Sequence, residues 1–285
     1  MGVNIENMAI IEQIFVDFAK KIEGSVWPAN FLGVMQKSLI IFLGCILFKP
    51  AQTIESTSNE KSNAECVIVL HGLLRSSYSM KSISRALDNA GFLVWNESYP
   101  SRKKPIDELD DIAIKPGLEF CRENKAAKIN FVTHSLGGII VRLFLQEHVI
   151  DKLGKIVMLS PPNHGTKVVD YLKDSKIFKN IFGPAGEELG TTNGNILKKL
   201  KPIPGNIGII VGNYSPNPWF SSIIPGADDG VVGVEDSKLP EMRDFLVVNY
   251  SHTFIMQRKA VIKQVVYFLK NGKFIHKSGV PDTKF

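Results

Sequence analysis

Ile129-Asn130-Phe131-Val132-Thr133-His134-Ser135-Leu136-Gly137-Gly138 is the stretch on which the reading of this chain turns. Ile129 to Thr133 is short and rich in β-branched residues, the pattern of a buried strand. Leu136 to His148 is apolar most of the way round, the pattern of a helix covered on all sides. Only a sharp turn at Ser135 separates the two. Such a strand–serine–helix corner is a nucleophile elbow, which lifts the serine above the sheet edge. Gly137 lets the start of the helix pack beneath the turn. The helix aims its free N–H groups and positive end at any anion that forms near Ser135. Thr133 occupies the place where such a corner usually has its first glycine, a departure from the pattern.

The same alternation runs outward in both directions. Cys66–Leu70, Phe92–Trp95, Lys155–Leu159, Ile207–Gly212 and Phe245–Asn249 read as further strands. Helical patterns cover Tyr78–Ala90, Pro105–Asn124 and Thr253–Lys270, with Pro116-Gly117 expected to break or kink the second. Short apolar strands spaced by helices require crossover connections, hence an α/β fold with a mostly parallel sheet covered on both faces. Reactive groups in such sheets collect at the carboxyl ends of the strands.

That rule selects the candidate residues. Ser135 needs a base to take its proton, and the base needs an orienting carboxylate. Where such an elbow stands in an α/β sheet of this kind, the chain order is Ser, acid, His. His148 sits at the far end of the helix that starts at Ser135, about 19 Å away at 1.5 Å per residue. His276 lies beyond the last helix. His164 follows a strand but precedes every good acid candidate. His252 follows the last strand and is expected to open the last helix, so it is the chosen base. In Gly226-Ala227-Asp228-Asp229-Gly230-Val231-Val232, Asp229 is the chosen acid and Asp228 the alternate; Glu235 and Asp236 read as surface charges. The N–H groups of Leu73 and Leu136 are the oxyanion donors, with Gly72 giving the backbone room to turn. His71 reads as architectural.

Five segments together carry a resemblance: Val69-Leu70-His71-Gly72-Leu73, Thr133-His134-Ser135-Leu136-Gly137-Gly138, Ser160-Pro161-Pro162-Asn163-His164-Gly165-Thr166, Asp228-Asp229-Gly230-Val231-Val232 and Ser251-His252-Thr253-Phe254. The set resembles the lipase/esterase branch of the α/β-hydrolases, in particular small, often signal-led bacterial members akin to triacylglycerol lipases and GPI-inositol-deacylase-like proteins. The resemblance covers roughly residues 66 to 274. It implies hydrolysis of carboxylic esters through an acyl-enzyme and names no particular substrate. In this fold the strands led by Cys66 and by the helix ending at Cys121 are neighbours. Both cysteines would then lie at the amino edge, where a disulfide can form.

Residues 164–204 are a long excursion rich in apolar and lysine residues, read as a cap or lid, with an amphipathic helix packed on the core as the alternative. Tyr214 to Pro225 is an apolar loop just upstream of Asp229. Both suit a lipophilic ester better than a charged metabolite. An acyltransferase or thioesterase using the same three residues, and a non-catalytic binding scaffold, are the competing functions.

The remaining features are compositional. The chain has 285 residues, 44% hydrophobic and 22% charged, which excludes disorder and fibrous repeats. Its net charge of +6 equals the excess of seven Lys/Arg over one Asp from Thr253 onward. No nucleic-acid motif accompanies that basic end, so it reads as a solvated face with a capacity for peripheral contact with an anionic membrane. Three cysteines without CxxC spacing, and the neighbouring carboxylates of Asp228 and Asp229 alone, imply no zinc or calcium site, and no cofactor is expected. Residues 1–65 read as a targeting or anchoring segment and linker. Ile5–Lys21 would suit an amphipathic helix, Met35 is an alternative start, and Leu39–Phe48 is an uncharged run about half the length of a membrane span. Thr53–Glu65 reads as the linker, 66–274 as the folded domain and 275–285 as a basic tail. The expected location is the cell envelope, with the cytoplasm as the alternative.

Overall fold

A computed structural model describes residues 64–192 and 196–276. The expectations for Ile5–Lys21, Met35, Leu39–Phe48, the linker up to residue 63 and the tail beyond residue 276 lie outside the described residues. The chain separates into the units Met1–Asn59 and Glu60–Phe285, and every described residue belongs to the second.

Strands β1 (Cys66–Leu70), β2 (Leu93–Trp95), β3 (Ile129–His134), β4 (Leu153–Leu159), β5 (Asn206–Gly212) and β6 (Asp244–Val248) form one sheet in the order β2-β1-β3-β4-β5-β6. Every neighbouring pair is parallel. The pleat sorts their side chains into two cores. Cys66, Ile68, Leu70, Phe131, Ile156, Met158, Ile207 and Ile209 face one layer; Val67, Val69, Val132, Val157, Leu159 and Ile210 face the other. Burial on both faces is why β1 is a continuous apolar run and why the carboxyl halves of β4 and β5 are apolar without a polar alternation. Each fully buried Leu, Ile or Phe contributes about 1.5–3 kcal/mol.

Helix α1 (Lys81–Asn89) covers the second layer with Ile83 and Leu87, together with the last helix. Helices α2 (Ile106–Glu123) and α3 (Leu136–Glu147) cover the first. Contrary to expectation, α2 runs unbroken through Pro116. Proline removes the N–H that would bond the Ile112 carbonyl, but Ile112 is 40% exposed, so that carbonyl lies on the side water can reach. Leu109, Ile114, Leu118 and Cys121 hold the opposite side in the core. A disulfide joins Cys121 to Cys66 across a Cα–Cα distance of 5.7 Å, pinning the end of α2 to the start of β1.

The excursion after β4 contains α4 (Lys167–Leu172), α5 (Lys176–Glu187, two helical pieces joined at a kink where Gly183 has φ 67°) and a 3-10 turn at Ile196–Lys199. Its Val169, Phe178, Ala185, Leu189 and Leu197 join the first core layer. After β5, Asn217 accepts from the N–H groups of Trp219 and Phe220, and Pro218 opens α6 (Pro218–Ile223). The last helix, α7 (Lys259–Asn271), begins later than the expected Thr253. A turn and a 3-10 segment at Ile255–Gln257 come first, because burying Ile255 and Met256 there satisfies the apolar pattern without helix. His252 therefore lies in a loop and does not open a helix. Among the described residues, no helix is long and apolar enough to cross a membrane.

Candidate active site

Ser135 alone makes the corner between β3 and α3, at φ 52° and ψ −121°. Positive φ in a residue with a Cβ costs about 1–3 kcal/mol and survives only where the surroundings dictate it. Here they do. The Ser135 N–H donates to the Leu159 carbonyl at 2.9 Å, and its carbonyl accepts from Gly138 N–H at 2.9 Å. A Cβ on Gly137 would come within 3.0 Å of the carbonyl oxygens of Leu70 and His71, so only glycine lets α3 start this close to β1. Gly138 explains Thr133. A Cβ there would stand 3.3 Å from Thr133 Oγ1, so the space a glycine at 133 would provide comes from 138. Among the described residues, four non-glycines have positive φ, and three of them (Leu74, Ser135, Ser160) stand just beyond the carboxyl ends of β1, β3 and β4.

From this corner a chain of hydrogen bonds leads inward. Ser135 Oγ lies 3.0 Å from His252 Nε2, and His252 Nδ1 lies 2.9 Å from Asp229 Oδ2. A carboxylate only accepts, so the proton on Nδ1 points at Asp229 and Nε2 is left to accept from the serine hydroxyl. Asp229 is 1% exposed, and its other oxygen accepts from the N–H groups of Val231 (3.1 Å) and Val232 (2.8 Å). Those two bonds hold the carboxylate in one rotamer. Asp228 faces away, accepting from Gly230 N–H at 2.8 Å and from the Ser221 hydroxyl at 3.0 Å.

The second wall is the loop after β1. Gly72 lies so close to the elbow that a Cβ would sit 3.1 Å from Ser135 Cβ. Neither Leu73 N–H nor Leu136 N–H has a hydrogen-bond partner among the described residues. His71 braces this loop from beneath. It is fully buried, stacks on Tyr99 at 4.1 Å, accepts from Tyr99 N–H at Nε2 (3.2 Å) and donates from Nδ1 to the Gly72 carbonyl (2.8 Å). Burial pulls its pKa down to about 4, so the ring is neutral. The Tyr99 hydroxyl donates to the His71 carbonyl, and burial pushes that phenol up. Helix α5 lies against the loop's outer side, where a Cβ on Gly186 would be 3.2 Å from Leu73 Cδ2.

The remaining candidates fall elsewhere. His164 is exposed, with its N–H bonded to the Asp236 carbonyl. Asp236 is half-buried, which raises its carboxyl pKa, and Glu235 pairs with Lys238. His148 stacks on Phe144 at the far end of α3, and His276 bonds Asp244. Sequence reasoning missed His134, whose ring contacts that of His252 with centroids 4.9 Å apart. Its place at the carboxyl end of β3, directly before the nucleophile, was the available signal.

Among the described residues, no group of three or more His, Cys, Asp or Glu is placed to hold a metal ion.

No protein-family model and no curated protein matches this chain. Solved structures do. A Bacillus licheniformis lipase, BlEst2 in mature form, superposes with a TM-score of 0.60 at 17% identity, over 78% of this chain and 96% of that one. Phospholipase PlaB from Legionella pneumophila gives 0.60 at 16%, over 74% of this chain and 60% of that one. The Pyrococcus furiosus esterase Pf2001 gives 0.53 at 19%, over 73% and 82%. This is the α/β-hydrolase fold. In an α/β-hydrolase fold the parallel strands bring their carboxyl ends to one edge. Ser135 follows β3, Asp229 follows β5 and His252 follows β6, so residues 117 apart in sequence meet there.

Proposed function

We propose that the protein is a serine hydrolase that cleaves carboxylic esters of lipophilic acyl chains, with Ser135 as nucleophile, His252 as general base and Asp229 as its orienting acid. The observation that carries this reading is the continuous relay Ser135 Oγ–His252 Nε2–Asp229 Oδ2 at 3.0 and 2.9 Å, set at a helix N-terminus. His252 takes the hydroxyl proton as Oγ attacks the ester carbonyl. The tetrahedral oxyanion is received by the N–H groups of Leu73 and Leu136. Collapse expels the alcohol, which leaves with the proton from Nε2, and the acyl group stays on Ser135. Water, deprotonated by His252, then releases the acid and restores the serine.

The acyl class rests on the apolar surroundings. Half-exposed Tyr171 on α4 meets Trp219 on α6 edge to face at 4.7 Å, and Tyr214 is also half exposed. The Ser221–Asp228 bond ties α6 to the turn that carries Asp229. The structural neighbours named lipase, phospholipase and esterase support the same substrate class. An acyltransferase or thioesterase would share the acyl-enzyme and differ only in acceptor or leaving group. The Cys66–Cys121 disulfide favours an oxidising compartment, the cell envelope, and the basic face of α7 suits contact with an anionic membrane.

The test is hydrolysis of p-nitrophenyl esters from acetate to palmitate, with Ser135→Ala as control. Activity that vanishes in the control is expected, and the preferred chain length separates esterase from lipase. Silence with every ester, together with no fluorophosphonate labelling of Ser135, would leave a binding scaffold instead.

A further inference from the structure

His134 stands next to the nucleophile, yet the relay does not pass through its ring. The residue is 2% exposed. Its Nε2 lies 3.0 Å from the carbonyl oxygen of His252; a carbonyl only accepts, so Nε2 carries the proton and Nδ1 does not. Nδ1 is buried without a hydrogen-bond partner among the described residues, and it faces Gly72, where a Cβ would come within 2.7 Å of it. An unpartnered buried nitrogen is unfavourable, and an apolar ring would fill the same space without one. What the imidazole supplies, and an apolar ring would not, is the N–H to the His252 carbonyl.

Resting on the assignment of Ser135, His252 and Asp229 as the catalytic relay, we propose that His134 is a positioning residue for the general base: its Nε2–H fixes the main chain at His252 so that the imidazole stays aimed at Ser135. The His252 main chain has a second tether, from its own N–H to the Asp229 carbonyl at 2.9 Å. With that bond alone, the peptide following His252 could turn about the anchor and carry Nε2 away from the serine. The His134 bond holds the carbonyl on the other side. It comes from the residue joined to Ser135, so nucleophile and base share one rigid support. Misplacement by about 1 Å can cost about 100-fold in rate. The device requires a neutral His134, since a second cation would oppose the imidazolium that forms on His252. Burial, together with His252, Arg75 and His71 around it, holds the His134 pKa well below its ordinary value.

The experiment compares full-length wild type, His134→Phe and His134→Gln on a short p-nitrophenyl ester. Fluorophosphonate labelling of Ser135 and thermal unfolding are followed in parallel. His134→Phe keeps a planar ring and removes the donor. It is expected to lower kcat about 10–100-fold, slow labelling by a similar factor and change KM by less than about twofold. The Gln amide can place an N–H near the position of Nε2, and His134→Gln is expected to recover most of kcat. Wild-type kcat in His134→Phe, a Gln variant no better than Phe, or failure of both variants to fold would overturn the proposal. An inactive, unlabelled wild type would overturn the serine-hydrolase reading beneath it, and is seen before any variant is compared.

Discussion

His252 and Asp229 are joined twice: the backbone N–H of His252 donates to the Asp229 carbonyl at 2.9 Å, and its Nδ1–H donates to Asp229 Oδ2 at 2.9 Å. The acid therefore sets the position of the histidine through the main chain and its tautomer through the side chain. Asp229→Asn can keep the first bond, but its amide can present an N–H to Nδ1 and favour the wrong tautomer. Steady-state kinetics on a p-nitrophenyl ester are expected to show kcat reduced about 10³–10⁴-fold with the fold intact by circular dichroism. A loss below tenfold would show that Asp229 is not the orienting acid.

The strain at Ser135 predicts an opposition between stability and activity. Glycine tolerates φ near 52° and alanine does not, so Ser135→Gly is expected to be more stable than Ser135→Ala by about 1 kcal/mol or more in urea unfolding. Both should be inactive. Equal stability of the two variants would mean that the elbow stores no strain.

The disulfide closes a loop of 55 residues. Chain entropy assigns such a closure about 4 kcal/mol, with native-state effects commonly lowering the yield. Cys66→Ala/Cys121→Ala is expected to unfold at lower urea by about 2–4 kcal/mol, and dithiothreitol should lower the wild type alone. The bond lies at the amino end of β1, away from Ser135, so kcat of the folded variant should stay within about twofold. Insensitivity of the wild type to reductant would argue that the thiols are not paired.

Acid should weaken the fold through buried neutral histidine. The folded-state pKa of His71 is lowered by burial to about 4, against 6.5 for a free imidazole. Above about pH 6.5 neither state is protonated and the full stability is present. Below that the unfolded chain binds a proton the folded one refuses until about pH 4, so stability falls as pH drops through this window, by at most about 1.4 kcal/mol per pH unit for this group. His134, shifted the same way, adds to the fall. Urea midpoints measured from about pH 8 to pH 4.5 should show this slope, reduced in His71→Phe. An identical slope in the variant would place the acid sensitivity elsewhere.

The Tyr171–Trp219 contact bridges α4 and α6, and the Ser221–Asp228 bond ties α6 to the turn that carries Asp229. If this aromatic pair meets the acyl chain, Trp219→Ala should reduce kcat/KM for a long-chain ester by roughly tenfold while changing the acetate by less than about twofold, since apolar contact scales with buried chain length. Equal losses on both esters would assign the pair to packing.

Much of the fold could be read from local pattern. Strands such as Cys66–Leu70 and the Ile156–Leu159 part of β4 are apolar throughout because they are covered on both faces, and that imprint survives in one dimension. Ser135 was visible because a strand, a serine and a glycine-led helix in that order leave few alternatives. Element ends were less visible. Pro116 reads as a breaker until Ile112 is seen to face water, and Thr253 reads as helix until Ile255 and Met256 are buried without one.

Residue order is enough to give the kinds of elements, the parallel sheet that their alternation demands and a short roster of serine, acids and histidines at strand ends. Which members of that roster meet is settled only when the strands pack. Asp228 and Asp229 are indistinguishable as letters, yet only Asp229 reaches His252, because bonds from Val231 and Val232 turn its carboxylate inward. His134 carried no periodic signal, and its bond to the His252 carbonyl spans 118 residues. Side-chain type is local information; direction and partner come from strands brought side by side.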